Sequence, residues 1–403
     1  MPLTGVLRRR RLASVVGALA LLVAAAACSS TTGAGGPGTS PAGASSGSGA
    51  APTSESPAPT SSAPSSTSSA TSTAVKPPVA LDTPAFTVLG GLDVPWSIAM
   101  LPDGSALVSE RNTGNIHWVP APGGSGKSRV VGHLDIHRAP GEGGLLGLAV
   151  PPDFRTNPVF YAYYTSDSDN RIAAVPWQGD RIGTPKVILT GIPSGTYHNG
   201  GRIAFGPDGY LYVGTGESGD KPLSQNLSSL GGKILRITQD GAPAPGNPFG
   251  GSPIWSYGHR NVQGLAWDSQ RRMWESELGQ DTWDELNRIE PGRNYGWPEV
   301  EGKAGNPDYV DPLVQWRPAE MSPSGITVGP DGAVYICALR GQSVWRVPVN
   351  ADGSVGTPTR HLQGTYGRIR DIHFVGGRAW VLTSNGGDDR LISLPPSDLG
   401  VGG

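Results

Sequence analysis

One unit recurs six times in this chain: a short apolar strand, a turn, and a second strand that ends in small or polar residues. The copies span residues 97–111, 147–166, 202–218, 264–280, 325–340 and 371–386. Several turn on Pro-Asp-Gly or a close variant, a sequence that favours tight reversal of the backbone. Each copy is followed by a further apolar strand, beginning near Asn115, Arg171, Lys233, Glu285, Ser343 and Arg390. The first strands start near Ile98, Leu148, Ile203, Leu265, Ile326 and Ile372, at spacings of 50, 55, 62, 61 and 46 residues. Periods of this size with several strands in each specify a β-propeller, and six copies predict six blades. A β-sandwich with irregular hairpins is the alternative, but it gives no reason for one unit to recur six times. No long segment carries helical periodicity. The expected class is therefore all-β, a six-bladed β-propeller over residues 81–398. The extra residues of the longer repeats are expected as loops on the face near the central channel.

The residues before the first repeat follow different rules. Arg8, Arg9, Arg10 and Arg11 precede an apolar run from Leu12 to Ala27, the layout of an export signal over residues 1–28. The run is too short and too rich in Ala for a membrane span. Ala25-Ala26-Ala27-Cys28-Ser29-Ser30 resembles a bacterial lipobox, which makes Cys28 the acylated first residue of a lipid-anchored protein outside the membrane. Ordinary cleavage after Ala-x-Ala, giving a secreted protein, is the alternative. Residues 29–80 form a linker, and up to residue 74 it contains only Gly, Ala, Ser, Thr and Pro apart from Glu55. Such a composition cannot bury enough apolar surface to offset its ordering entropy, so a disordered tether is expected.

Charge and cysteine content exclude other classes. The chain has 31 Lys+Arg and 33 Asp+Glu, a net charge of -2, which is not the basic excess of a nucleic-acid binder. Two cysteines, Cys28 and Cys337, allow neither a disulfide framework nor a Cys-rich zinc module. Cys337 reads as a buried packing thiol in an inner strand.

Four loops carry unusual polar content. His198 sits in a Gly-rich stretch at residues 195–202, just before a first strand, where an imidazole can accept a proton at the channel mouth or make a structural bond. The other histidines at 117, 133, 137, 361 and 373 lie in or beside strands and read as structural. Residues 258–264 contain His259, Arg260 and Asn261. Residues 276–287 and 294–298 are dense in oxygen donors, and their glycines let carbonyls turn inward, as a calcium site requires; a solvated acidic surface is the alternative. Arg340, Arg368 and Arg370 form the fourth group. Arg368 and Arg370 are two apart on an expected strand and share one face. Two guanidinium groups aimed at a channel imply a polyanion between them, unless they are surface charge.

In order along the chain, Glu142–Gly147, His198–Ile203, Gly231–Arg236, Gly258–Leu265, Ser276–Gly279 with Asp284, Glu285 and Asn287, and Asn294–Pro298 resemble the soluble sugar dehydrogenases that use pyrroloquinoline quinone (PQQ), the glucose/sorbosone dehydrogenase family. The resemblance spans residues 86–395. It implies a six-bladed propeller with PQQ across the channel mouth and calcium beside it. It implies that His198 is the general base for an aldose oxidised at C1, and that Arg260 stabilises charge on the quinone oxygen. Glu142, Asn261, Arg340, Arg368 and Arg370 would contact the cofactor. Gly279 and Gln280 would hold calcium through main-chain oxygens, with Asp284, Glu285 and Tyr295 as further metal residues. Glu142 replaces a Gln of the glucose-oxidising members, Arg340 a Lys, and Tyr197 an acid. An external electron acceptor is also implied. A non-catalytic binding propeller and a calcium-dependent lactonase remain the competing classes; a lactonase has no need of the arginine pair.

Overall fold

The computed structural model describes residues 83–137 and 141–402. The export signal, Cys28 and the linker lie outside the described residues. The first strand, β1 (Phe86–Leu92), is followed by five complete blades. Blade one is β2 (Pro95–Met100), β3 (Ala106–Glu110), β4 (Asn115–Val119) and β5 (Arg129–His133). Blade two is β6 (Leu145–Ala149), β7 (Val159–Thr165), β8 (Asn170–Pro176) and β9 (Lys186–Ile192). Blade three is β10 (Ile203–Phe205), β11 (Leu211–Gly214), β12 (Lys233–Ile237) and β13 (Ile254–Tyr257). Blade four is β14 (Val262–Trp267), β15 (Met273–Glu277), β16 (Asp284–Ile289) and β17 (Val314–Trp316). Blade five is β18 (Pro323–Val328), β19 (Val334–Ala338), β20 (Ser343–Val347) and β21 (Thr359–His361). The sixth contains β22 (Ile369–Val375), β23 (Arg378–Thr383) and β24 (Asp389–Leu394), and β1 returns to complete it as the outer strand. The strands β2, β6, β10, β14, β18 and β22 touch in a closed ring and line the axis. Each contains one of the six residues that mark the sequence period. The six-bladed propeller expected from the repeats is the observed fold.

The core is divided among the blade interfaces. Leu107, Ile116, Leu145 and Phe160 pack between blades one and two; Leu146, Tyr163, Val213 and Leu235 pack between two and three; Trp274, Leu286, Val334 and Ile336 pack between four and five. Successive side chains of a strand point to opposite faces. In β7, Phe160, Ala162 and Tyr164 therefore meet blade one, while Tyr161 and Tyr163 meet blade three. Both faces are buried, so the strands are almost continuously apolar rather than alternating. Cys337 obeys the same rule: it is fully buried on the side facing blade six. It lies in β19, the second strand of its blade, and not in an inner strand.

The turns show why the Pro-Asp-Gly signal repeats. Asp208 Oδ1 accepts the Tyr210 amide at 3.3 Å, while Oδ2 accepts from the Tyr212 hydroxyl at 3.0 Å and Arg236 Nε at 2.9 Å. Asp331 makes the equivalent bonds to Ala333, Tyr335 and Arg346. One carboxylate thus ties its turn to two neighbouring strands. At Gly325 a Cβ would collide with Asp371 Oδ1, so glycine there lets adjacent inner strands approach closely.

Candidate active site at the channel mouth

A cavity of about 150 Å³ opens where the inner strands begin. Every blade contributes: Arg111 from one, Glu142 from two, Asn199 from three, Asn261 and Gln263 from four, Leu339 from five, and Arg368 and Arg370 from six. Four of the five expected cofactor contacts are brought together here. Arg340 is exposed and does not line this cavity. Arg111, Gln263 and Trp96 line it without having been singled out in the sequence.

The arginines are held ready for an anion. Arg370 is 6 % exposed; its Nη1 donates to Gln263 Oε1 at 3.0 Å and Ser324 Oγ at 3.2 Å, while its buried Nε has no partner. Burial, and then the charges of Arg111, Arg368 and Arg202, press its pKa below the usual guanidinium range. Arg368 is half-buried, with Nε on the Ser384 carbonyl at 3.2 Å. Glu142 is the acid set against these cations in the cavity lining. Three guanidinium groups against one carboxylate leave an excess of positive charge that an oligocarboxylate would neutralise.

His198 belongs to the loop entering β10. Its backbone has φ +57, in the left-handed region, which costs a non-Gly residue free energy unless its surroundings impose it. The surroundings do so. The His198 amide donates to Glu142 Oε2 at 2.9 Å, and its carbonyl accepts from Ser218 at 3.0 Å. At Gly216 a Cβ would strike that carbonyl, so glycine is required. Asn199 pins the loop through Gly195, and Tyr163 donates to the Asn199 carbonyl at 2.7 Å. The His198 ring places Nδ1 2.8 Å from Glu217 Oε1. Glu217 is 1 % exposed and was not found by the sequence reading. With Nδ1 on that carboxylate, Nε2 is the nitrogen left for a substrate. The Tyr197 ring sits edge-on at 4.6 Å.

Arg260 and Asn261 enter β14 beside this loop. Asn261 Oδ1 accepts the Gly200 amide at 2.9 Å, joining the histidine loop to blade four. The Arg260 guanidinium lies 5.4 Å from the Trp297 ring and donates to the Leu278 carbonyl at 3.0 Å. Burial lowers its pKa, opposed by Glu217 and Glu277.

The oxygen-rich loop after β15 is built around an acid absent from the sequence expectations. Glu301 Oε1 accepts the amides of Gln280, Asp281, Thr282 and Trp283, at 2.7 to 3.1 Å. This turns the loop so that no hydrogen bond among the described residues occupies the carbonyl oxygens of Gly279 or Gln280. Two free carbonyls with Glu301 nearby fit a hard cation such as calcium. Asp284 and Tyr295 fit it less well. Asp284 spends its oxygens on the Gly279 and Ser322 amides, and burial pushes its pKa up to about 6. The Tyr295 hydroxyl donates to the Arg288 carbonyl and accepts from Glu290, which leaves only its main-chain oxygen for a metal. Glu285 accepts from Gly302 and Asn287; burial, then Glu277, raise its pKa.

The model of the glucose/sorbosone dehydrogenase family matches residues 92–393. The chain belongs to that family. Among the solved members of this fold, the PQQ-bound aldose sugar dehydrogenase of Streptomyces coelicolor is 50% identical, with a TM-score of 0.73 over 76% of this chain and 96% of that one. The aldose sugar dehydrogenase of Escherichia coli is 29% identical over 75% of this chain and 91% of its own length. The quinoprotein glucose dehydrogenase B of Acinetobacter calcoaceticus is 33% identical over 55% of this chain and 54% of its own.

Proposed function

We propose that this family member is a PQQ- and calcium-dependent aldose dehydrogenase, exported and lipid-anchored through Cys28, that oxidises the sugar at C1 to the lactone and passes electrons to an external acceptor. The observation that carries the reading is the convergence, in one cavity, of the arginine pair with Asn261 and Glu142 beside the His198–Glu217 dyad. A lactonase or a bare binding propeller gives no reason for that dyad and an anion-seeking arginine cluster to coincide.

Arg368, Arg370 and Arg111 would hold the cofactor carboxylates by charge-assisted bonds. The carbonyls of Gly279 and Gln280 would hold calcium. PQQ, when bound, supplies an electrophilic quinone that accepts a hydride equivalent, and the cation makes it more electrophilic. The rest is done by the chain. Glu217 fixes the His198 tautomer, so Nε2 takes the C1 hydroxyl proton as the C1–H bond breaks. The resulting imidazolium is stabilised by the same carboxylate. Arg260, held on Trp297 and Leu278, would supply positive charge to the reduced quinone.

The test is to titrate the purified protein with PQQ and calcium and to follow the quinone absorbance on adding aldoses. Binding, reduction by an aldose, loss of both on chelation and recovery with calcium are expected. Failure to bind PQQ with calcium present, or a bound quinone that no aldose of a broad panel reduces, would reject the reading.

A further inference from the structure

We propose that His259, Glu275 and Glu277 form a buried site for a divalent transition ion of the Mn²⁺ or Zn²⁺ type, separate from the carbonyl pair of Gly279 and Gln280. One ligand atom from each lies within 4.8 Å of the others, and the residues are 0 %, 0 % and 4 % exposed. Bonds of about 2.1 Å in tetrahedral geometry would place the ligand atoms roughly 3.4 Å apart, so the three side chains must draw together to close the site.

The imidazole is the independent pointer. His259 Nε2 is 2.8 Å from Ser256 Oγ, and the ring stacks on Tyr295 with centroids 4.8 Å apart. Its Nδ1 has no hydrogen bond and lies 3.5 Å from Glu277 Oε2. With an ion bound, Ser256 Oγ would accept Nε2–H and leave the Nδ1 lone pair to the metal, beside Glu277 Oε2, which accepts the Arg260 amide at 3.0 Å. A cation there would give this buried, unpartnered nitrogen the partner that the fold does not.

The carboxylates repeat the pattern. Glu275 gives Oε2 to Asn287 Nδ2 at 3.1 Å, while its buried Oε1 has no partner. Asn287 also donates to Glu285. Each proposed ligand is thus oriented by a group that is not itself a ligand: Ser256 for the histidine, Asn287 for Glu275 and the Arg260 amide for Glu277. That is how protein metal sites fix their donors. Glu275 and Glu277 are two apart in β15 and share a face, opposite Asn287 and Glu285 across the β15–β16 pair. Three buried carboxylates there have Arg260 as the cation coupled to Glu277. One nitrogen and two carboxylates suit Mn²⁺ or Zn²⁺ better than calcium, which prefers an all-oxygen shell. The ion would join the entry of β14 to β15 and fix the Arg260 backbone. It does not depend on the cofactor reading.

The full chain, stripped with chelator and refilled with saturating calcium, is titrated with Mn²⁺ and followed by electron paramagnetic resonance. One Mn²⁺ per chain that calcium does not displace, with ¹⁴N modulation of the spin echo from His259, is expected. Glu275→Gln should weaken that binding at least tenfold. No calcium-resistant Mn²⁺, or bound Mn²⁺ without ¹⁴N modulation, overturns the proposal, as does undiminished binding in the variant. The ¹⁴N signal is read on the unaltered protein, so it decides the matter even if the variant does not fold. A metal-free chain whose Tm rises on Glu275→Gln would instead show a shared-proton cluster.

Discussion

At the scale of single residues, the proposed function rests on His198 and the acid behind it. His198→Ala is expected to leave PQQ binding nearly intact and to lower kcat about 10²- to 10⁴-fold, the usual contribution of a positioned base. Glu217→Gln keeps the shape but loses the tautomer control. It should lower kcat at least about tenfold, up to the ~10⁴-fold cost of a mis-set imidazole, with little change in KM. A rate near wild type in either variant, cofactor bound, removes that residue from the mechanism. Arg368→Ala with Arg370→Ala removes charge-assisted bonds of about 1.5–3 kcal/mol each, so PQQ affinity should fall tenfold or more; an unchanged titration would refute the placement. Much of this site was legible in the chain, because Gly-rich loops with isolated His and Arg stand out from apolar strands. Glu217 and Glu301 were not. Each acts across 18–21 residues of sequence, and nothing in Gly216-Glu217-Ser218 or Val300-Glu301-Gly302 says which distant amide or imidazole the carboxylate will meet. Arg111 was missed for a similar reason: it follows a second strand, and only closure of the ring brings it to the arginines of blade six.

At the scale of elements, short polar ties between strands set local stability, and Glu110 at the end of β3 is the clearest. Its Oε1 accepts the Asp93 amide at 3.0 Å, and Oε2 accepts Thr113 Oγ1 at 2.7 Å and Asn115 Nδ2 at 3.1 Å. His117 Nε2 is 3.1 Å away. Burial alone would raise the pKa, but the neighbouring His117 and the bonds from Thr113 and Asp93 outweigh it and lower it to about 2. A carboxyl whose folded pKa is depressed stabilises the fold above its unfolded value of 4.5 and loses that contribution as pH falls toward 2. Thermal melts should therefore show Glu110→Gln lowering Tm at pH 7, with the gap to wild type shrinking between pH 4.5 and 2. A gap that does not depend on pH would mean the side chain matters only as packing. The strands were easy to read because both faces are buried, and blade number followed from their period. Strand position within a blade was harder: Cys337 has the same apolar setting in β19 that it would have in an inner strand, and hydrophobicity does not distinguish them.

At the scale of the whole molecule, the ring is closed by pairing the first strand with the last, Phe86 opposite Ser393. Closing a loop of that length costs about 5 kcal/mol beyond a constant. The blade-six and blade-one cluster of Leu92, Ile98, Val108, Trp380 and Leu391 offsets it. Cys28, the proposed site of lipid attachment, precedes β1 in the chain, so such an anchor would pull on the strand that seals the propeller. Cys28→Ala should move the protein from the membrane fraction to the medium without changing its melting temperature; retention in the membrane would reject the lipid anchor. The seal also sets a schedule. β1 leaves the ribosome among the first folded residues, and its partner β24 is made 300 or so residues later. At about 5–20 residues per second the wait is roughly 15–60 s. Throughout it, β1 is an unpaired edge that another chain could capture. Its sequence, Phe-Thr-Val-Leu-Gly-Gly-Leu, breaks its apolar run with two glycines, which makes it a poor template for premature pairing. The strand that must bind last is thereby kept from binding first.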